Sequence, residues 1–361
     1  MFKTIPISQY SEWDKVLKNF NNLDVYYLSG YVKAFQIHGD GEPILLQYIN
    51  GDYQAICVMM RRDIALDRLF YNSSLPHREY YDLITPYGYG GFIFNRDKLP
   101  QYIIDHFNNE LVVYLKNENY VSAFFRFHPI IKNALLHSQS VNIVSLGKTI
   151  AMDLTTPELI WQNITSKNRN VIRKAEKSGI IIKHGKGIEL LRQFKSIYDE
   201  TMRHDNADDY YYFKDQFYLS ISEDLINNYE LFYAEYQNEI ISIAIIIFEG
   251  NNMHYHLSGS KYEYRCYAPS NLLLYKAALW GYEQGYKIFH LGGGVGSGND
   301  SLYKFKAAFN RNSDYQFAIG KLVINKELYS NLMMLRGFES DIISSRINFF
   351  PQYRAQLVIQ E

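Results

Sequence analysis

Two apolar runs, 43–49 (PILLQYI) and 53–60 (YQAICVMM), flank the polar triplet NGD. That pattern predicts a β-hairpin, because Asn-Gly takes the left-handed turn geometry that matches strand twist. Glycines and tyrosines then alternate through 81–94 (YDLITPYGYGGFIF). Helical spacing covers 98–117, a strand pattern covers 121–128 (VSAFFRFH), and 141–154 is β-rich. At Thr155 the pattern changes. TTPEL is a helix start, with Thr155 or Thr156 as N-cap, Pro157 in the first turn and Glu158 closing a capping box. One helix is predicted from there to Gly179, its stop signal.

The second half continues with a strand at 180–184 and helices near 187–203 and 213–226. Three strands follow, YELFYAEYQ, ISIAIIIFE and NNMHYHLSGS, joined at Asn238-Glu239 and Gly250-Asn251. A long helix at 269–285, the strand KIFHL, a glycine-rich stretch with a short helix, and the strand YQFAIGKLVI complete it. The tail, 326–361, reads as helical and then irregular. This order predicts an α+β fold, with helices on mixed, mainly antiparallel sheets. The first half is a shorter relative of the second. A boundary near 148–155 divides the chain into 1–150 and 151–325, with the tail 326–361 available to complete the first domain.

Composition changes this picture little. The 361 residues are 47% hydrophobic and 21% charged, an ordinary globular balance. The net charge of −1 excludes a globally basic nucleic-acid binder but allows a local basic patch. The 33 tyrosines offer flat apolar faces with hydroxyl tips, suited to lining a groove. Cys57 and Cys266 lie far apart, and Cys57 sits in an apolar run as a core thiol. No CxxC or Cys/His spacing points to zinc, so no metal is predicted. The N-terminus has no apolar signal region, and no run of eighteen apolar residues occurs. A cytoplasmic protein is expected, able to work at a membrane surface.

Three stretches carry candidate chemistry. In SKNRNVIRKAEKSG (166–179), Arg169, Arg173 and Lys177 are spaced i, i+4, i+8 and share a helix face. That face is either solvated near a helix C-terminus or built to grip an anion, for which the arginine fork is suited. In MHYHLSGS (253–260), strand alternation puts His254, His256 and Ser258 on one side and Tyr255, Leu257 and Gly259 on the other. The polar row suits a cleft wall or a solvent-facing surface. The third stretch is FHLGGGVGSGNDSLYKFKAAF (289–309). Its glycines match neither the Walker A pattern nor the dinucleotide fingerprint. They read as slack at a strand end, before a helix opened by Asp300 or Ser301. Phe305 and Phe309 anchor that helix at i, i+4, leaving Lys306 to project a positive charge.

Taken together, the NRNVIRKAEKSG helix, the HLSGS strand, the PSNLLL helix ending in WGYEQG, and LGGG…DSLYKFKAAF resemble the FemA/FemB/FemX aminoacyltransferases and the acyltransferases grouped with them. ITPYGYGG in the first half resembles the same group. The resemblance covers most of 80–310 and implies a tandem of acetyltransferase-like (GNAT) folds with a cleft between them. It implies transfer of an amino acid from aminoacyl-tRNA to an amine of a UDP- or lipid-linked muropeptide. Relatives use other acyl donors, such as acyl-CoA, on amino sugars or amino acids. In the family, the lysine matching Lys306 lies close to the acyl-transfer centre and the donor's phosphates. The arginines matching Arg169 and Arg173 hold the acceptor's phosphate, and the positions matching His256 and Ser258 face the cleft. Tyr89 and Lys304 complete the candidate substrate-binding set. The chain lacks the coiled-coil arm of some members. The loop KYEYRCYAPSN also lacks the Gly-x-Gly with which CoA-binding GNAT enzymes wrap pyrophosphate, which weighs against simple acetyl-CoA use.

Acyl transfer to an amine needs a neutral nucleophile, a stabilised oxyanion and a proton acceptor. Lys306 is the candidate for the oxyanion or the donor phosphate. His256 is the candidate base, because imidazole titrates near neutrality. Asp82 and Asp300 are weaker candidates for the base. No Ser or Cys nucleophile motif stands out, so direct attack without an acyl-enzyme is expected, with no tightly bound cofactor. Two alternatives stand beside this one: an acyl-CoA or carrier-dependent N-acyltransferase, and a non-catalytic GNAT-derived binding module.

Overall fold

The computed structural model describes residues 1–338 and 349–356. Part of the predicted irregular tail therefore lies outside the described residues. The chain divides into two compact units: residues 1–20, 39–146 and 318–361 form the first, and residues 21–38 and 147–317 the second. The segment 21–38 thus belongs to the second unit, although the sequence reading left it in the first half.

The first unit is a mixed sheet. β1 (Phe2–Pro6), β2 (Glu42–Asn50), β3 (Tyr53–Asp63) and β4 (Tyr81–Ile84) pair antiparallel in that order. β5 (Ile93–Phe94) lies beside β3, and β6 (Tyr120–Arg126) runs parallel to β4. The predicted hairpin closes with Asn50 opposite Tyr53, and Gly51 supplies the positive φ of 57°. α1 (Tyr10–Leu17), which the apolar pattern does not announce, follows β1. After α2 (Ser29–His38) of the second unit, α3 (Gln101–Asn117) covers one sheet face. Ile103, Phe107, Leu111 and Leu115 of α3, spaced at helical intervals, are buried there with Tyr48, Cys57, Phe92 and Phe125.

The second unit holds β7 (Asn142–Asp153, from Gly147), β8 (Ile181–Gly185), β9 (Tyr229–Tyr236), β10 (Glu239–Glu249), β11 (Asn252–Ser260) and β12 (Ile288–Gly292). Their spatial order is β7-β12-β11-β10-β9-β8. All neighbours are antiparallel except β11 and β12. The predicted single helix after Thr155 is in fact two, α4 (Pro157–Asn163) and α5 (Ser166–Lys177). Thr156 caps the first and Thr165 the second, and the chain between them is extended at Ile164 (ψ 133°). α6 (Ile188–His204) and α7 (Asp215–Asp224) pack on one face with α2. α8 (Pro269–Glu283) packs on the other, with α4 and α5 beside it. α9 (Ser301–Ala307) follows β12.

Returning to the first unit, β13 (Tyr315–Val323) pairs antiparallel with β6 from Ile319 onward. α10 (Lys326–Leu335) then buries Tyr329, Leu332 and Met333 against Val121 and Tyr353. Each unit is an α+β arrangement, a mixed sheet flanked by helices. Among the described residues no helix is long and apolar enough to cross a membrane.

Candidate active site

The site in the second unit is built where β11 and β12 part. The two strands pair parallel at Asn252/Ile288, Met253/Phe289 and His254/His290, and the pairing stops there. From Tyr255 on, β11 keeps its partner β10 but has none in β12. The β10 register slips at the same place, with Ile245 opposite Leu257 and Ile246 opposite Tyr255. His256 is therefore an extra residue on β11, a β-bulge. Strands that separate at a bulge leave a wedge open at their C-terminal ends.

The bulge overturns the predicted alternation. His254 and His256 do share a face, but Ser258 turns to the other one and accepts a hydrogen bond from the Tyr255 hydroxyl (2.6 Å). Gly259 now points at α6, where a Cβ would lie 2.8 Å from the Tyr198 amide nitrogen. Only glycine fits that approach.

On the histidine face, His254 is buried and His256 is half-buried. His254 Nε2 lies 2.9 Å from the Asp24 carboxylate, and both are fully buried. Asn252 donates to the same carboxylate (2.8 Å). His256 lies among Tyr31 and Phe35 of α2, with ring centroids 5.7 and 6.1 Å away. Burial, with the neighbouring His254, pushes its pKa down to about 3. At neutral pH it is an uncharged and very weak base. The segment 21–38 packs against this side of β11, which the strand pattern alone does not announce.

Lys306 answers the opposite description. The Asp300 side chain caps α9, accepting from the Tyr303 amide (2.7 Å) and from the Val295 amide (2.9 Å). These bonds hold the Asp300 carboxyl below its ordinary pKa, so it is a cap and not a base. They also tie the glycine stretch to the helix, which is therefore not slack. Gly294 leaves room for the carboxylate, since a Cβ there would fall 2.4 Å from Asp300 Oδ1. Phe309 is fully buried and meets Phe305 edge-on at 5.5 Å, anchoring α9 as the spacing predicts. Lys306 then extends its Nζ to the Gly293 carbonyl, 2.8 Å away, just past the end of β12. Burial lowers its pKa to about 8 against the opposing pull of Asp300. Lys304, two residues earlier, is exposed on α9.

Of the α5 arginines, Arg169 has a structural task. Arg169 donates through Nη1 to the carbonyls of Trp161, Gln162 and Ile164 (3.3, 3.3 and 2.8 Å), closing the C-terminus of α4. Arg173 is exposed, bonds Asn170 (3.3 Å) and lies over the Trp161 ring at 5.1 Å. Just before them the motif hides a residue that the spacing of charges does not single out. Asn168 is buried, accepts from Asn271 at the start of α8 (2.7 Å), and donates to the Ala308 carbonyl at the end of α9 (3.4 Å). Thr165 also donates to Ala308, from its backbone (3.0 Å). So NRN, PSN and KAAF meet in one network that sets α9, and with it Lys306. Their joint appearance in the sequence was the available signal. At the head of α8, Ser270 joins Ser242 and Ser260 (3.0 and 2.8 Å).

Tyr89 belongs to the first unit. Its ring contacts His128 at 5.7 Å, and burial raises its phenol well above the usual value. The surrounding ITPYGYGG segment is held by Asn133, which donates to the carbonyls of Gly90 and Phe92 (2.9 and 3.1 Å). Asp82 is fully buried between Arg62 (2.7 Å) and Arg354 (2.5 Å). Burial works against its charge, but the two guanidiniums outweigh that and hold it ionised below the ordinary range. Its carboxylate is engaged by both arginines, which makes it a weak base.

Residues 165–306 match the acetyltransferase (GNAT) domain family. Over 91% of this chain and 99% of the other, the fold superposes on the crystal structure of FemX with a TM-score of 0.65 at 14% identity. The C-terminal domain of a putative lysylphosphatidylglycerol synthetase from Agrobacterium fabrum gives 0.53 at 11% identity, covering 92% and 96%. L-PGS from Bacillus licheniformis gives 0.52 at 12%, covering 93% and 97%. No curated protein matches the chain. Residues 165–306 thus carry a GNAT-type transferase domain, and the chain around it has the fold of FemX.

Proposed function

We propose that this protein moves an aminoacyl group from aminoacyl-tRNA to an amine of a peptidoglycan precursor, a UDP- or lipid-linked muropeptide. The observation that carries the reading is Lys306, largely desolvated beside the Gly293 carbonyl at the mouth of the β11–β12 wedge, with a pKa of about 8. The names of the proteins that share the fold, FemX and lysylphosphatidylglycerol synthetase, support aminoacyl rather than simple acetyl chemistry. The acceptor amine attacks the ester carbonyl of the donor, and the C–N bond forms as charge collects on the carbonyl oxygen. The Lys306 ammonium stabilises that oxyanion. As the ester C–O bond breaks, Lys306 gives its proton to the departing ribose oxygen and recovers one from the new ammonium. A pKa near the working pH suits both halves of this exchange. No acyl-enzyme forms, no cofactor is resident, and the reaction belongs in the cytoplasm, where charged tRNA is found. Arg173 and Lys304, both exposed, are left to contact the phosphates of donor or acceptor, while Ser258 contacts the substrate as a binding group.

The test is transfer of a labelled amino acid from charged tRNA to a UDP- or lipid-linked muropeptide. Turnover with an acyl-CoA, and none with any charged tRNA, overturns the reading. That second reading has one observation in its favour: α8 starts at Pro269 after Ala268 in the left-handed region, and no side chain caps its N-terminus. Uncapped helix N-termini attract phosphate. Thermal stabilisation by CoA and none by UDP-muropeptide would establish it.

A further inference from the structure

The first unit has a concavity of about 830 Å³ lined by five arginines, Arg61, Arg62, Arg68, Arg78 and Arg354. They come from separate places: the end of β3, the loop between β3 and β4, and the chain after α10. The acids in the lining are Glu42, Asp63 and Asp67. Each is already engaged. Glu42 accepts Arg61 through Nε and Nη2 (3.1 and 2.5 Å). Asp67 holds Arg354 and the Leu69 amide, and Asp63 holds the amides of Ala65 and Arg78 (3.0 and 2.8 Å).

The arginines are not all satisfied in return. Arg68 and Arg78 are exposed and their side chains have no ion pair among the described residues. More telling are two buried nitrogens. Arg62 and Arg354 both use Nε on Asp82, yet the Nη2 of each is buried with no hydrogen-bond partner among the described residues. The Arg354 side chain is only 8% exposed. A buried guanidinium nitrogen without an acceptor is costly, and native structures rarely leave one so. Burial and the nearby Arg354 together lower the pKa of Arg62, as expected where positive charge is in excess. Neither the transfer chemistry nor the fold of the second unit uses any of these groups.

We propose that this arginine-lined concavity is a binding site for a phosphate-bearing small ligand, carried entirely by residues of the first unit. The guanidinium fork matches phosphate oxygens in two places at once, and several forks around one hollow suit a diphosphate better than a single carboxylate. The volume exceeds what inorganic phosphate fills, and Tyr81 and Leu66 give it an apolar wall for the rest of the ligand.

The experiment is calorimetric titration of the full chain at 150 mM chloride with inorganic pyrophosphate, UDP, or phosphatidylglycerol vesicles as separate arms. The arm that binds identifies the source as free diphosphate, nucleotide or lipid headgroup. The expected result is saturable binding at one site in one of these arms. The double variant Arg68→Ala/Arg78→Ala, in exposed positions that leave the core alone, weakens it by roughly tenfold or more. Lys306→Met, in the other unit, leaves the affinity unchanged. That control separates this site from the transfer site, so failure of one reading does not touch the other. No saturable binding in any arm, or binding that the double variant retains or that Lys306→Met abolishes, overturns the proposal.

Discussion

Replacing Lys306 by methionine keeps the length of the side chain and removes both its charge and its donation to Gly293. Two stability effects oppose each other. The fall from the ordinary lysine value of 10.5 to about 8 means the site disfavours the ammonium by about 3 kcal/mol, which methionine relieves. Leaving the Gly293 carbonyl without its donor costs about 1–3 kcal/mol. The variant should therefore unfold within a few degrees of the wild type, so loss of activity reports on chemistry. Loss of one oxyanion donor lowers kcat by roughly 10²–10³. The pH profile gives an independent reading. Lys306 is protonated below about 8 and loses its proton as pH rises through that value. A rate that needs the ammonium drops roughly tenfold between pH 7 and 9. Lys306→Arg stays charged throughout and should lose that alkaline limb. The assay is single-turnover transfer across pH 6–10 for the three proteins, with melting curves alongside. If the methionine variant transfers within threefold of wild type, or the wild-type rate is flat to pH 9.5, Lys306 is not the group described above.

The other assignments can be separated in the same way. Arg169→Ala removes the closure of α4 and should cost about 1–2 kcal/mol in urea unfolding, with the KM for the acceptor little changed; a large KM effect would restore it as a phosphate contact. His256→Phe places a ring of similar size among Tyr31 and Phe35 and should retain transfer within a few-fold, whereas a 10²-fold loss would reinstate it as a base. Asp82→Asn leaves Arg62 and Arg354 without a buried counter-charge and should destabilise the protein by about 3–5 kcal/mol, seen as a lower urea midpoint. Gly259→Ala forces a Cβ onto the backbone of α6 and should cost about 1–3 kcal/mol, measured by thermal unfolding.

Period and turn chemistry made much of the fold legible. The Asn50-Gly51 hairpin, the three-strand meander, α8 and the Phe305/Phe309 anchor all follow from residues close together in the chain. What was hidden depends on residues far apart. The histidine row reads as a polar surface only while 21–38 is out of view; once Asp24, Tyr31 and Phe35 pack against it, His254 is interior and His256 half-buried. The arginine repeat of α5 has the right spacing for an anion face, but the break at Ile164 turns Arg169 onto the carbonyls of α4. No local rule announces that break, since Thr165 is compatible with a helix interior and with a cap. Asn168 was passed over because its partners, Asn271 and Ala308, lie more than a hundred residues away.

At position 256, β11 carries one residue more than β10 needs. Without that residue Tyr255 and Leu257 would still lie opposite Ile246 and Ile245, and Leu257, Ser258 and Gly259 would keep the faces they have now. The extra residue therefore sets the local bend of β11 and not the order of side chains beyond it. Deleting Ser258 instead would shift that order by half a turn and bring Ser260 into the space on α6 that only Gly259 can occupy.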